Sequence, residues 1–388
     1  MINEDVFNTA KQIFKRHFNC EHTASAYAPG RVEVLGNHTD YNEGYVLSAA
    51  IDYGTFFLVS PSSDSTCRLV AGDLDEMVFF DAASPAAVIE GTWANYVIGV
   101  FASLKERGSI SHGFNGVLLG NIPLGAGLSS SAALEVASGL ALAKLYDITV
   151  SSLDMAKIGQ KAEHTYAGVK CGLMDQISSI FGKENSLVMS DFRSLEVETV
   201  PVGTDACFLM CNTHAKHALV DGEYNERREK CEAAAEFFKA KLDHSVTALR
   251  DVSWAEWEQW QREMDDTTAR RAAHPIGENE RVIAGRQLLA TGDIEAFGKL
   301  MFDSHESSVT YFENSCEELD TIVNAARRIP GVLGARLSGG GFGGSVVALV
   351  HPRDAATIAH AIKVVFEKAY GHVCDINVIE PSAGAAVH

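Results

Sequence analysis

The segment that decides the fold is a glycine- and serine-rich turn, Pro123-Leu124-Gly125-Ala126-Gly127-Leu128-Ser129-Ser130-Ser131-Ala132-Ala133. Its glycines allow a tight turn that brings backbone N–H groups close to a ligand. The serines then begin a helix whose first N–H groups have no partner inside the helix, which favours an anion such as a triphosphate. A first-turn serine hydroxyl also suits magnesium. The alternative is that the serine only caps the helix, and the lysine of the common P-loop is absent.

The elements around this turn alternate between strand and helix patterns. The stretch FNGVLLG at 114–120 predicts a strand, and 129–145 predicts a helix that is apolar on nearly every side and therefore buried. Further helices are predicted over about 154–167, ended by Gly168, and over 221–241 and 277–303. A glycine loop within 333–350 leads into the strand SVVALV. The fold class is therefore α/β or α+β.

The length of 388 residues exceeds one ordinary hydrophobic core, so we expect two domains, 1–197 and 198–388. A composition of 46% hydrophobic and 21% charged residues is typical of a globular enzyme. No apolar run approaches the ~20 residues of a membrane-spanning helix. The N-terminal stretch is amphipathic, so we expect no signal peptide, no membrane partner and a cytoplasmic location.

The net charge of −19 disfavours nucleic acid as a partner, because phosphate binding needs a basic face. ATP stays possible where backbone donors and a metal ion supply positive charge locally. The eight cysteines are scattered, as expected for reduced thiols. One group, Cys207, Cys211, His214 and His217, offers four zinc ligands, but its spacing matches no usual zinc pattern, so a buried strand is the favoured interpretation.

Two further segments group polar side chains. Residues 28–44, APGRVEVLGNHTDYNEG, place many hydrogen-bonding groups at the end of an apolar strand, which suits a polyhydroxylated ligand, although a polar surface turn is the alternative. Residues 163–176 supply the carboxylates Glu163 and Asp175. Phosphoryl transfer uses one carboxylate on the metal and one to orient or deprotonate the attacking hydroxyl. Spacing alone equally allows two solvated carboxylates.

The last segment, RLSGGGFGGS at 336–345, contains a literal G-x-G-x-x-G. A dinucleotide-binding fingerprint requires a helix after these glycines, whereas a strand follows here. The glycines instead predict a close approach of the backbone to a ligand.

Taken in order, these four segments resemble the galactokinases of the GHMP kinase family. The resemblance extends to WANYV at 93–97, DFRSL at 191–195, YNERR at 224–228 and EELD at 317–320, and covers about 25–350. It implies a two-domain GHMP kinase fold with the active site in the interdomain cleft. It also implies that ATP and Mg²⁺ are used to phosphorylate the anomeric hydroxyl of galactose.

The resemblance implies the following site residues. Asp175 acts on the anomeric hydroxyl, assisted by Arg31, and Ser131 and Glu163 bind magnesium. The sugar-binding residues are Asn37, His38, Asp40, Gly172, Asp175 and Tyr224. The ATP-binding residues are Gly125, Ala126, Gly127, Leu128, Ser129, Ser130 and Ser131. Trp93 lies near the adenine.

Two departures from the family pattern bear on the substrate. Asn37 stands where galactokinases have a glutamate that contacts the 6-hydroxyl, and Glu33 replaces the usual asparagine. A kinase for a C6-variant sugar such as galacturonate, or a non-catalytic galactose sensor, is therefore an alternative. The glycine- and serine-rich turn at 123–133, here called the phosphate segment, is intact, and so are the carboxylates Glu163 and Asp175. These features disfavour the sensor. We expect a monomer that uses galactose, and an Asn37→Glu variant that uses it roughly ten-fold better.

Overall fold

The computed structural model describes residues 3–86, 92–123, 125–169, 171–216 and 220–388. Within these residues, no helix has both the length and the apolar character needed to cross a membrane. The helices are α1 Glu4–Phe18, α2 Ala94–Lys105, α3 Ser130–Leu145, α4 Ser152–Ala162, α5 Met174–Phe181, α6 Val220–Lys241, α7 Trp254–Trp260, α8 Asp266–Ala290, α9 Ile294–Ser307, α10 Glu317–Ala326 and α11 Ala355–Tyr370. The strands are β1 Ala24–Leu35, β2 Tyr45–Pro61, β3 Thr66–Ala71, β4 Glu76–Asp81, β5 Phe114–Gly120, β6 Ser186–Asp191, β7 Val197–Pro201, β8 Cys207–Lys216, β9 Val332–Ser338, β10 Gly343–Val350, β11 Asp375–Ile379 and β12 Ala386–Val387.

The described strands form two sheets. The first has the order β12-β1-β2-β5-β3-β4, and β6 continues from β2 to pair with β7. The second has the order β11-β8-β10-β9 and is antiparallel throughout. The chain passes from the first sheet to the second between Pro201 and Cys207, and β12 returns to the first. The boundary at 197/198 stays a prediction.

The buried helix expected after the glycine-rich turn is α3, which packs on β1 and β2 and is flanked by α2, α4 and α5. The strand predicted over 114–120 is β5. The helix predicted over 154–167 is α4 followed by one π-helical turn, and Gly168 ends it with φ +77°. Apolar periodicity therefore located these elements to within two residues.

The single helix predicted over 277–303 is wrong. Two helices, α8 and α9, occupy this stretch, and Gly292 between them has φ +77°. The left-handed conformation breaks the helical hydrogen-bond ladder, and glycine adopts it without steric cost. Asp293 then accepts a hydrogen bond from the N–H of Ala296 and caps α9.

The second sheet positions the glycine loop. Strands β9 and β10 pair antiparallel, so residues 339–342 connect them at one end of the sheet. A strand does follow the glycines, as expected. The eight cysteines are free thiols, and Cys207 and Cys211 lie buried on β8. Of the zinc candidates, His217 lies outside the described residues.

Candidate active site between the two sheets

A side chain of α8, that of Glu278, holds the turn that follows β1. Glu278 is fully buried, and its Oε2 accepts the backbone N–H groups of Gly36 and Asn37 at 2.8 and 2.9 Å. Gly36 has φ +98°, and a Cβ there would lie 2.4 Å from the Tyr45 carbonyl oxygen. The sequence after β1 therefore folds into a rigid, buried turn and not a solvated loop.

His38 and Asp40 lie on this turn, where His38 is buried and Asp40 is half-buried. Burial lowers the pKa of His38 to about 4, so the imidazole is neutral at physiological pH. Its ring nitrogens contact the Tyr41 hydroxyl at 2.9 Å and the Gly340 carbonyl at 3.2 Å. Burial raises the pKa of Asp40 to about 6. A Cβ at Gly172 would lie 2.0 Å from Asp40 Oδ2, so a larger residue there would displace the Asp40 carboxylate.

Asp175, in the first turn of α5, has both carboxylate oxygens held by other side chains. Oδ1 accepts from Arg31 Nε at 2.8 Å, and Oδ2 accepts from the Ser129 hydroxyl at 2.6 Å. Arg31 also donates from Nη1 to the Gly127 carbonyl at 2.8 Å. The two contacts fix the orientation of the carboxylate, and the Arg31 guanidinium is its charged partner.

The backbone of the glycine-rich turn is left-handed at three residues. Gly125 and Gly127 both have φ +70°, and Ser129 has φ +55°. Ser129 makes no side-chain cap on α3, so the simple capping interpretation is wrong. The side chains of Ala126 and Leu128 are buried, and their carbonyls accept from Ser345 Oγ and Arg31 N. Backbone N–H groups are thus what this turn can offer an anion.

The Ser131 hydroxyl and the Glu163 carboxylate lie next to each other. Glu163 begins the π-helical turn after α4 and is buried, and burial raises its pKa. A hydroxyl and a carboxylate are hard oxygen donors, the set that Mg²⁺ prefers when phosphates and water complete its coordination. These two residues therefore fit a magnesium ion.

Two cavities meet at the Arg31–Asp175 pair. The first, here called the Asp40 cavity, has a volume of about 620 Å³. Its lining includes Arg31, Asn37, His38, Asp40, Gly172, Asp175 and Tyr224. The second, the glycine-loop cavity, has a volume of about 690 Å³. It is lined by Arg31, Asp175, Gly125, Gly127, Ser129, Asn212, His214, Ala215 and residues 338–345. A group in either cavity can thus reach the same carboxylate.

A third, smaller cleft adjoins the start of α3. Trp93 lines it together with Tyr96, Leu134, Ser130 and Ser131. The cleft has a volume of about 200 Å³ and is mostly apolar. The cleft lies beside the phosphate segment, which is where the base of a nucleotide would lie if its phosphates were bound there.

Sequence reasoning missed several residues of these cavities. Arg228 lines the Asp40 cavity, but its side chain is 48% exposed and pairs with Glu232 at 3.0 Å. Asn212 and His214 reach the glycine-loop cavity from β8. Glu33 also lines the Asp40 cavity. In the sequence, Glu33 stood out as a departure from the family pattern, His214 only as a candidate zinc ligand, and Arg228 only as part of the segment YNERR.

Three family descriptions match this chain in succession. "Galactokinase galactose-binding signature" covers residues 12–61, "GHMP kinases N terminal domain" covers 95–183, and "GHMP kinases C terminal" covers 286–368. Galactokinase of Mannheimia succiniciproducens is 40% identical over 381 residues, which span 97% of each chain. Galactokinase of Haemophilus influenzae is 41% identical over 383 residues, which span 97% of this chain and 98% of that one.

The chain belongs to the galactokinase family of GHMP kinases.

Solved structures agree with this assignment. The crystal structure of Lactococcus lactis galactokinase complexed with galactose superposes with a TM-score of 0.91 at 32% identity, covering 98% of this chain and 99% of that one. The mevalonate kinase of Methanococcus jannaschii shares the fold, with a TM-score of 0.64 at 18% identity, 93% of this chain and 98% of that one. The expected two-domain GHMP kinase fold is confirmed, and the protein is a sugar kinase of the galactokinase type.

Proposed function

We propose that this galactokinase-family enzyme transfers the γ-phosphoryl group of ATP to the anomeric hydroxyl of galactose, giving galactose 1-phosphate and ADP. The observation that carries the proposal is the position of Asp175. Its carboxylate lies where the Asp40 cavity and the glycine-loop cavity meet, and Arg31 and Ser129 hold it there. A sugar in the first cavity and a triphosphate in the second would both reach it.

In this proposal Asp175 orients the anomeric hydroxyl and accepts its proton as the new O–P bond forms. Arg31 holds the carboxylate in place and supplies positive charge beside the transferring group. That charge matters because the phosphate segment has no P-loop lysine. His38, Asp40 and Tyr224 would bind the sugar hydroxyls, since all three line the same cavity. Gly172 gives Asp40 the space it needs.

The triphosphate would lie along the start of α3, whose first N–H groups have no side-chain cap. The adenine would occupy the cleft lined by Trp93. Ser131 and Glu163 would hold Mg²⁺, which offsets the charge of the phosphate oxygens. The glycine loop at 339–344 borders the second cavity and would help exclude water from the transferring group.

The test is an Asp175→Asn variant, whose amide cannot accept the proton. We expect kcat to fall at least ~100-fold while binding of an ATP analogue is retained. Release of ADP is measured with galactose, and phosphorus NMR identifies the product by coupling of phosphorus to the sugar H1. Asp266→Asn on the surface is the control. Near-normal turnover of Asp175→Asn, or a product phosphorylated at another oxygen, would contradict the proposal.

A further inference from the structure

Both the nitrogen and the oxygen of the Asn37 side-chain amide hydrogen-bond to other groups of the protein. Its Nδ2 donates to Glu33 Oε1 at 2.9 Å and to the Gly339 carbonyl at 2.8 Å. Its Oδ1 accepts from Asn314 Nδ2 at 3.1 Å. A flipped amide would direct its oxygen at two acceptors and its nitrogen at a donor, so these partners fix the orientation. Asn37 therefore has no donor left for a ligand, and its remaining exposure is 1%.

Glu33 has one carboxylate oxygen that accepts no hydrogen bond from the described part of the protein. Its Oε1 accepts from Asn37 and from Arg336 Nη1, the latter at 2.9 Å. In the described part of the chain, Oε2 has no hydrogen-bond partner, although Glu33 is only 3% exposed. The side chain lines the Asp40 cavity. A carboxylate oxygen in such a position is a strong acceptor that awaits a donor from a ligand.

The spacing between Arg31 and Glu33 matches the width of a hexose ring. Arg31 pairs with Ala50 and Glu33 pairs with Ser48, so the strand is regular between them. Residues two apart on a strand share a face and lie about 6.6 Å apart along it. Arg31 marks the anomeric end through its contact with Asp175. The 6-hydroxyl is carried on an exocyclic carbon attached to C5, so in a sugar bound this way it can lie about one ring width from the anomeric hydroxyl, within reach of Glu33.

We propose that Glu33 accepts a hydrogen bond from the 6-hydroxyl of the sugar, and that Asn37 and Arg336 are positioning residues for its carboxylate. The inference rests on the proposed function. Relative to the galactokinase pattern, this chain exchanges the two side chains, so the cavity wall still presents one carboxylate and one amide. A C6 carboxylate would meet the Glu33 carboxylate, so galacturonate is excluded by like-charge repulsion.

The exchange makes the two positions interdependent. A glutamate at position 37 alone would direct its carboxylate at Glu33 and at the Gly339 carbonyl, both of which now accept from Asn37. Asn37→Glu should therefore impair the use of galactose, contrary to the sequence-based expectation of an improvement. The double variant E33N/N37E restores one carboxylate and one amide, and it should recover activity that N37E loses.

The test compares kcat/KM for galactose, 6-deoxygalactose and galacturonate, with inhibition constants for sugars that are not turned over. Variants are Glu33→Gln, Asn37→Glu and the exchange E33N/N37E, with the exposed Glu184→Gln as the matched control. In Glu33→Gln the amide oxygen can still accept from Arg336 and Asn37, which preserves the fold. Thermal melting checks this for every variant.

We expect the parent to prefer galactose over 6-deoxygalactose roughly ten-fold or more, and Glu33→Gln to reduce that ratio roughly ten-fold by acting on galactose alone. Glu33→Gln should also tolerate galacturonate better. An unchanged ratio in Glu33→Gln would overturn the inference. The inference would also be overturned if the parent had equal kcat/KM for galactose and 6-deoxygalactose. Absence of galactose turnover in the parent would instead overturn the proposed function.

Discussion

Replacing Ser129 by alanine separates two roles of the phosphate segment. The sequence predicts that this serine binds ATP, whereas in the structure its hydroxyl donates to Asp175 Oδ2 at 2.6 Å. A hydrogen bond to a carboxylate contributes about 1.5–3 kcal/mol. If the bond persists into the transition state, its loss lowers kcat/KM for galactose roughly 10- to 150-fold. Asp175 keeps its contact with Arg31, so activity falls but is not abolished.

The assay is steady-state release of ADP, first with galactose varied at saturating ATP and then with ATP varied at saturating galactose. Binding of a non-hydrolysable ATP analogue is measured separately. Ser151→Ala is a matched control, because Ser151 donates to Asp154 at 2.9 Å on the surface, away from both cavities. It removes the same kind of bond and should leave kcat/KM unchanged, with a loss of about 1 kcal/mol in stability from the lost helix cap.

Two outcomes would refute the reasoning. A rise confined to the KM for ATP, with kcat unchanged, would mean that the Ser129 hydroxyl binds phosphate and does not hold Asp175. A loss below about three-fold in every parameter would mean that Arg31 alone suffices to orient the carboxylate.

Two further predictions concern the metal and the sugar. Ser131→Ala and Glu163→Gln should each shift the magnesium titration of activity to higher concentration, because each removes an oxygen ligand; titrations identical to the parent's would place the metal elsewhere. The KM for galactose should rise as pH falls from about 7.5 to 5, because Asp40, with a pKa of about 6, loses the charge that accepts sugar hydroxyls. Asp40→Asn should flatten that pH dependence, and an equally steep profile in the variant would exclude Asp40 as its source.

The sequence alone determined the local elements and their order. Apolar runs located α3 and β5, because an element that is largely buried is apolar at most of its positions. The glycines of the phosphate segment predicted a tight turn, and Gly125 and Gly127 make it with positive φ, which few other residues adopt. The order of four specific motifs was enough to predict the family, which the comparisons confirm. All of these signals lie within short stretches of chain.

Tertiary structure decided what each polar side chain contacts. Ser129 looked like a cap or a phosphate ligand, yet its partner Asp175 lies 46 residues away. Asn37 looked free to read the sugar, yet Gly339 and Asn314 from the second half of the chain occupy its amide and leave Glu33 with the open oxygen. The Asn37 contacts depend on how the two sheets pack against each other, and the Ser129–Asp175 contact depends on how α3 packs against α5. Spacing along the chain carries no information about them, because a hydrogen bond acts over about 3 Å whatever the sequence separation.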